Sequence, residues 1–347
     1  MASTAGHAKS YSRSNAKRVA VIVLAVLATA LATVALAVVF TGKKFVDAYN
    51  DNVTVLPTTE VFPEEEDRPP AGPEGSQTIL LLGSDTRGGI DPDDADSAIG
   101  SRSDTMLLLQ IPAARDKIYG VSFMRDSWVD IEGYGSAKIN AAMALGGIPL
   151  AVSTLEGLVG TEIDHVALVD FEGFKAATDA LGGVTINNPE AFSTRAAGPT
   201  IDFPKGKIDL DGTEALAFVR ERKAFIDGDY QRARNQQLFM KSMIKKLVSR
   251  SVLTNPDQLL KTVTAIGPYV ERDENLNMTY LSGLLFSLTS MEDDGFVTFT
   301  APTAGTGTSA DGQSIVNLDP ERMSALKHAF QTDTLDEYVA TQDLEAY

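Results

Sequence analysis

Thr78–Ile79–Leu80–Leu81–Leu82–Gly83–Ser84–Asp85–Thr86–Arg87 is an apolar run that breaks into a glycine, a carboxylate and a guanidinium. A short unbroken apolar run closed by glycine reads as a strand buried on both faces. Its polar end puts charge just beyond the strand. Two further segments do the same. Arg102–Ser103–Asp104 precedes the run Thr105–Ile111, and Lys117–Phe123 runs into Met124–Arg125–Asp126. Loops beyond strand ends line the ligand crevice of α/β sheets. Three Arg/Asp pairs at such points can build one site of interleaved cations and carboxylates. Each pair taken singly also reads as a loop staple, the arginine paired with its neighbour.

Working outward, Asp164–Val169, Val184–Asn187, Phe296–Thr300 and Ser314–Leu318 read as strands. Ala137–Leu145, Pro149–Val159, Phe171–Leu181, Thr213–Phe218, Tyr230–Ser251, Pro256–Ile266, Thr279–Met291 and Pro320–Phe330 read as helices, with Gly182–Gly183 as a C-terminal stop. Lys138 then opens a helix, and Gly305–Thr306–Gly307 reads as a plain turn. This alternation predicts a layered α/β/α domain around a central mixed sheet over residues 78–332. Residues 41–77, with five prolines between Pro57 and Pro73 and the acidic run Glu64–Asp67, read as an extracytoplasmic linker. Residues 333–347 read as an acidic tail.

Val19–Phe40 is a run of 22 residues without a charge. As a helix it spans about 33 Å, enough for a hydrocarbon core of about 30 Å. Lys9, Arg13, Lys17 and Arg18 precede it, so residues 1–18 are expected in the cytoplasm and the domain outside the cell membrane. The absence of cysteine removes thiol nucleophiles, thiolate metal sites and disulfides. The three histidines, His7, His165 and His328, lie away from the Arg/Asp motifs, which argues against Ser-His-Asp or His-metal chemistry. The whole chain carries a formal net charge of −17; its first forty residues carry four positive charges and no acid, leaving −21 on the rest. A domain so acidic is a poor nucleic-acid binder, and no nucleic-acid partner is expected.

Against that background Ala215–Gln237, ALAFVRERKAFIDGDYQRARNQQ, stands out. Arg220, Arg222, Arg232 and Arg234 fall within fifteen residues. The planar fork of arginine suits phosphate oxygens and keeps its charge at any working pH. If the chain runs extended through residues 219–222, the period of two turns Arg220 and Arg222 to one side; if it stays helical, they diverge. On the helix that follows, Arg232 and Gln236 share one face. The same stretch also reads as a solvated charged loop whose aspartates pair its arginines.

Taken in order, these segments, together with Lys138–Ile139–Asn140 and Val169–Asp170–Phe171–Glu172–Gly173–Phe174, resemble the LytR-CpsA-Psr family of cell-envelope phosphotransferases. The resemblance covers roughly residues 78–250. It implies transfer of an anionic wall glycopolymer, such as a teichoic acid, from a polyprenyl-pyrophosphate carrier to a peptidoglycan hydroxyl. It also implies Mg2+ as cofactor, with Asp85 and Asp104 as its ligands. Arg87, Arg125, Lys138, Arg220, Arg222, Arg232 and Gln236 are implied as pyrophosphate ligands, with Arg102 also in the set. Asp126 would orient Arg125 or act as a base. The prenyl tail would lie in an apolar tunnel walled by Phe171–Leu181 and Tyr230–Leu247, whose apolar residues read equally as core. The commoner family pattern has an arginine where this chain has Asn235, with Arg234 one position earlier. One residue is about 100° of helix rotation, so Arg234 stands apart from the rest. The same residues would also serve a non-catalytic polyprenyl-phosphate-binding envelope regulator, or a pyrophosphatase with water as acceptor.

Overall fold

The structure, a computed structural model, describes residues 52–84, 103–194, 200–226, 228–247, 261–262, 264–265, 267–288, 291 and 295–342. The chain begins with strand β1 (Thr54–Leu56) and one helical turn, α1 (Thr58–Val61). The strands β2 (Gln77–Ser84), β3 (Ser103–Ile111) and β4 (Ile118–Phe123) follow, then the hairpin β5 (Ser127–Ile131) and β6 (Gly135–Lys138) and the long helix α2 (Ala141–Val159). Strand β7 (His165–Asp170) runs directly into helix α3 (Phe171–Ala180). Four short strands come next, β8 (Val184–Asn188), β9 (Phe192–Thr194), β10 (Ile201–Phe203) and β11 (Gly206–Leu210), then helices α4 (Gly212–Arg220) and α5 (Gly228–Leu247). The chain closes with β12 (Val270–Asp273), α6 (Met278–Ser287), β13 (Phe296–Thr300), β14 (Thr303–Thr308), β15 (Ser314–Leu318), α7 (Pro320–Thr332) and α8 (Leu335–Ala340).

The central sheet has seven strands in the order β1-β12-β7-β2-β3-β4-β13. It is mixed: β1/β12, β7/β2 and β4/β13 pair parallel, and the other neighbours pair antiparallel. Alternation along each strand gives the sheet two unlike faces. Leu80, Leu82, Met106, Leu108, Val121 and Phe123 point to one face and close a dense core with α2, α7 and α8. Leu81, Leu107 and Leu109 point to the other, beneath α3 and α5. A second sheet, β14-β15-β5-β6, carries the loop after β4.

Local signals explain the helix ends that frame the site. Asp170 caps α3 by accepting from the Gly173 amide at 2.7 Å. Asp211 and Glu214 form a reciprocal capping box at the start of α4. Helix α2 is broken at Gly146–Gly147, where Gly147 has φ +67°, matching the two helices read from sequence on either side of the break.

Several boundaries differ from expectation. Residues 52–77 are part of the domain rather than a tether: β1 joins the sheet edge, and Val53, Val61 and Phe62 are buried. These apolar residues are scattered among prolines, so no period betrayed them. Residues 333–342 are likewise docked rather than a free tail, with Leu335 and Tyr338 buried. Lys138 ends strand β6 instead of opening a helix. Gly305–Thr306–Gly307 lies within β14, not in a turn. Among the described residues one helix, α2, is long and apolar enough to cross a membrane, but it is the half-buried core helix of the domain. The run Val19–Phe40 lies outside the described residues.

Candidate functional site: an apolar cavity with an arginine mouth

A cavity of about 430 Å³ separates the second face of the central sheet from α3 and α5. Its floor is Leu81, Leu107 and Leu109; its walls include Phe174 and Ala177 of α3 and Phe239, Met240, Met243 and Ile244 of α5. At the end of the sheet where β2 finishes, the lining turns polar. Arg125, Arg220, Arg222, Arg232 and Gln236 all border the cavity there, beside Gly83, Thr105 and Asp170. Of the residues singled out in the sequence, these five side chains are brought to one mouth. The helices thought to wall a tunnel do wall the cavity, and the sheet supplies the third side.

The arginine positions follow from how α4 ends. The helix runs to Arg220, so Val219 and Arg220 stay helical and the extended path considered for residues 219–222 begins only at Glu221 (φ −67°, ψ 131°). Arg220 and Arg222 therefore turn to the cavity and Glu221 turns inward. Its buried carboxylate accepts from the backbone amides of Lys223 at 2.5 Å and Ala224 at 2.9 Å. Burial pushes this carboxyl up, but the Thr194 hydroxyl and the amides of Ala224, Lys223 and Arg222 outweigh it and hold it below the usual range. The last carbonyls of α4 lack helical partners. Asn235 and Gln236 of α5 supply them, donating to the carbonyls of Phe218 at 3.2 Å and Val219 at 3.4 Å. The Arg220 guanidinium also lies 4.4 Å above the Phe171 ring, a cation–π contact at the head of α3.

Helix α5 is held off the sheet at its edges. Gln237 donates to the Thr300 hydroxyl at 2.9 Å, Tyr230 and Thr303 share a hydroxyl contact at 3.1 Å, and Lys246 bonds the Gly182 and Gly183 carbonyls. Arg234 does not border the cavity: its Nη2 and Nε donate to Gln231 Oε1 at 2.6 and 2.9 Å. Asn235, 1% exposed, serves the helix–helix contact.

Asp126 and Lys138 sit together beside Arg125. Lys138 Nζ is 2.8 Å from Asp126 Oδ1, and Arg125 Nε is 3.6 Å from Asp126 Oδ2. Burial raises the Asp126 carboxyl, yet the Lys138 hydrogen bond and the charges of Lys138, Arg125 and Arg232 hold it below its ordinary value. A carboxylate so stabilised as the anion is a poor base and a good anchor. Of the two roles considered for Asp126, the geometry favours orienting Arg125.

Asp85, Arg87 and Arg102 lie outside the described residues, as does the side chain of Asp104. The backbone of β3 is described. Thr105, which borders the cavity, pairs with Gly83, and Ser103 pairs with Ser84 across a register irregularity. Among the described residues no group of three or more His, Asp or Glu side chains could hold a metal. His165 is buried, 3.3 Å from the Asp273 carboxylate and stacked near Tyr280, away from the cavity.

Two signals for further site residues were present in the sequence. Asp170, Phe171 and Gly173 border the cavity at the β7–α3 junction, within a segment that carries the family resemblance but in which Asp170 and Gly173 were given no role of their own. Leu81, Leu107 and Leu109 alternate with core residues along strands read as buried on both faces.

The profile of the LytR_cpsA_psr family matches residues 42–332. The chain belongs to this family. The early start of the match agrees with the folding of residues 52–77 into the domain. Among LytR-CpsA-Psr relatives, the polyisoprenyl-teichoic acid–peptidoglycan teichoic acid transferase TagU of Oceanobacillus iheyensis is 36% identical over 228 residues, 62% of this chain and 66% of the relative. TagU of Bacillus mycoides is 36% identical over 187 residues, 54% and 57% of the two chains. The chain thus spans about three fifths of the length of these relatives. The crystal structure of B. subtilis TagV shares the fold, with a TM-score of 0.64 at 24% identity, covering 76% of this chain and 98% of that one. A structure of TagT bound to LI-WTA aligns with a TM-score of 0.57 at 26% identity, covering 74% and 90%.

Proposed function

We propose that this protein transfers an anionic wall glycopolymer from a polyprenyl-pyrophosphate carrier to a hydroxyl of peptidoglycan. The observation that carries this reading is the joining of two chemistries in one cavity. Four arginines, Arg125, Arg220, Arg222 and Arg232, border the mouth of a cavity whose lining is mostly aliphatic, methionine and phenylalanine side chains. A diphosphate on a long hydrocarbon tail needs that combination. The teichoic acid transferase activity for which the TagU relatives are named points the same way.

In this reading the tail lies between the sheet and α5. The diphosphate is held by Arg125, Arg220, Arg222, Arg232 and Gln236, with Lys138 and Arg87 completing the grip. A hydroxyl oxygen of the acceptor attacks the phosphorus that carries the glycopolymer sugar. A new phosphorus–oxygen bond forms, the bond to the bridging oxygen breaks, and polyprenyl phosphate leaves with the bridging oxygen and its charge. The hydroxyl proton passes to solvent or buffer. Phosphoryl transfer depends on alignment and charge neutralisation, and these arginines supply both. Asp85 and Asp104 are hard oxygen donors that fit magnesium, which binds one or two carboxylates together with substrate phosphates. The Gly83–Thr105 and Ser84–Ser103 register supports this, since it brings the two chain segments together beside the cavity. Bound there, the ion would neutralise phosphate charge. Val19–Phe40 anchors the chain in the cell membrane with residues 1–18 in the cytoplasm and the catalytic domain outside.

The test is release of labelled polyprenyl phosphate with and without peptidoglycan. Each charge-assisted contact contributes about 1.5–3 kcal/mol. Arg220→Ala and Arg222→Ala are each expected to slow release roughly 10–150-fold. Normal turnover in both variants would overturn the arginine assignment. Release that ignores peptidoglycan would indicate water as acceptor, and carrier binding with no release would indicate a regulator.

A further inference from the structure

The carrier lipid of the preceding reading must reach the cavity from a bilayer, and one rim of the mouth has the chemistry of a bilayer contact. Five large apolar side chains are exposed among the described residues: Val55, Tyr134, Leu145, Ile226 and Tyr269. Scattered singly, such residues need no explanation. Ile226 and Tyr269 are not scattered, because both flank the cavity mouth. Ile226 is wholly exposed on the turn that starts at Arg222, where the Phe225 amide donates back to the Arg222 carbonyl at 3.4 Å. Tyr269 leads directly into Val270, a lining residue. It also packs against Gly173, another lining residue, so closely that a Cβ there would come within 2.5 Å of the Tyr269 Cβ. Phe171, two residues before Gly173, carries the Arg220 guanidinium over its ring, and both residues border the cavity. Arg220, Arg222 and Lys223 are all exposed, so positive charge follows the same rim in a chain of net charge −17.

The origin of the chain points to the same place. Asn52, the first described residue, packs against Gly267, where a Cβ would lie 2.6 Å from that of Asn52. Gly267 opens the short turn that ends in Tyr269. Asn52, where the described chain begins, thus sits beside this rim, and in the sequence the uncharged run ends twelve positions before it, at Phe40.

We propose that the rim formed by Ile226, Lys223, Arg222, Arg220 and Tyr269 rests on the surface of a phospholipid bilayer. Aromatic and aliphatic side chains enter the headgroup boundary, and the cations meet lipid phosphates. The carrier then passes from bilayer to cavity without its tail crossing water. This rests on the lipid reading of the cavity. Arg125, Asp126 and Lys138 approach the mouth from β4 and β6, across the sheet from β12 and Tyr269, so that side stays open to the acceptor.

The natural chain has no cysteine, so single replacements can be labelled without background. Ile226→Cys, Tyr269→Cys and, as control, Ala114→Cys would carry a fluorophore in the full chain, reconstituted in vesicles containing phosphatidylglycerol and a spin-labelled lipid. Ala114 is exposed in the turn beyond β3, at the opposite end of the strands. The dyes at 226 and 269 are expected to lose about half their emission or more, and the dye at 114 almost none. Equal quenching at all three, no quenching at the rim, or rim protection that appears only when peptidoglycan is added would overturn the proposal. A second arm uses Ile226→Asp. It should slow transfer from a long-chain carrier in vesicles about tenfold and leave a water-soluble short-chain carrier unaffected; equal effects on both, or no effect, count against it. If the natural protein turns over neither carrier, the transferase reading fails, while the quenching pattern still decides the docking face.

Discussion

Replacing Arg68 with alanine would take a guanidinium, 10% exposed, away from Glu156, a carboxylate only 1% exposed. Arg68 Nη2 and Nε donate to Glu156 Oε1 at 2.6 and 3.1 Å, and Nη2 also donates to the Ile163 carbonyl at 2.8 Å. The guanidinium lies 4.9 Å above the Phe62 ring as well. After the change Glu156 would keep one partner, the Ile163 amide at 2.8 Å, and an uncompensated charge in the core. Breaking a buried pair in this way costs about 3–5 kcal/mol. The remaining amide bond favours the lower end, about 3 kcal/mol. For a domain of this size that corresponds to roughly 6–12 °C in Tm. Urea unfolding, followed through the single tryptophan Trp128, would measure it. Pairing Arg68→Met with Glu156→Gln should recover part of the loss, because no buried charge is then stranded. An Arg68→Ala variant within about 0.5 kcal/mol of the natural protein, the scatter of ordinary surface changes, would refute the claim that residues 52–77 belong to the core.

Glu221→Ala should raise KM for the carrier about tenfold with a smaller effect on kcat, since one lost positioning contact corresponds to about 1.4 kcal/mol. Glu221→Gln, which keeps one acceptor oxygen, should recover part of it; equal KM in all three forms would remove Glu221 from the arginine mouth. Asp126 is held below the ordinary carboxylate range, so its contribution to stability is present at neutral pH and lost as pH falls through that lowered value. Asp126→Asn should therefore lower the denaturation midpoint at pH 7 and flatten its fall on acidification, and an unchanged acid limb would contradict the Lys138 pairing.

Much of this was legible in the sequence for identifiable reasons. The apolar runs within 79–82 and 106–109 specify central strands because both of their faces meet apolar surroundings, the core on one side and the cavity on the other. The switch from helix at Arg220 to extended chain at Glu221 matches neither of the two alternatives in full, and it is fixed by contacts with Thr194 and the following amides that no local pattern encodes. What stayed hidden was hidden for physical reasons. Val53, Val61 and Phe62 are isolated apolar residues whose burial depends on a strand far along the chain, β12, and on the core around α2. Leu81 and Leu107 look like core because a cavity wall and a packed core use the same side chains. Only the separation of α5 from the sheet, set by Gln237, Tyr230 and Lys246, distinguishes them.

The most direct measurement is a crystal structure of the domain with a polyprenyl diphosphate. The account predicts phosphate oxygens within hydrogen-bond distance of Arg125, Arg220, Arg222 and Arg232, with the tail running over Leu81 and Leu107 beneath α5. Phosphates bound away from those arginines, or a tail lying outside this cavity, would contradict it.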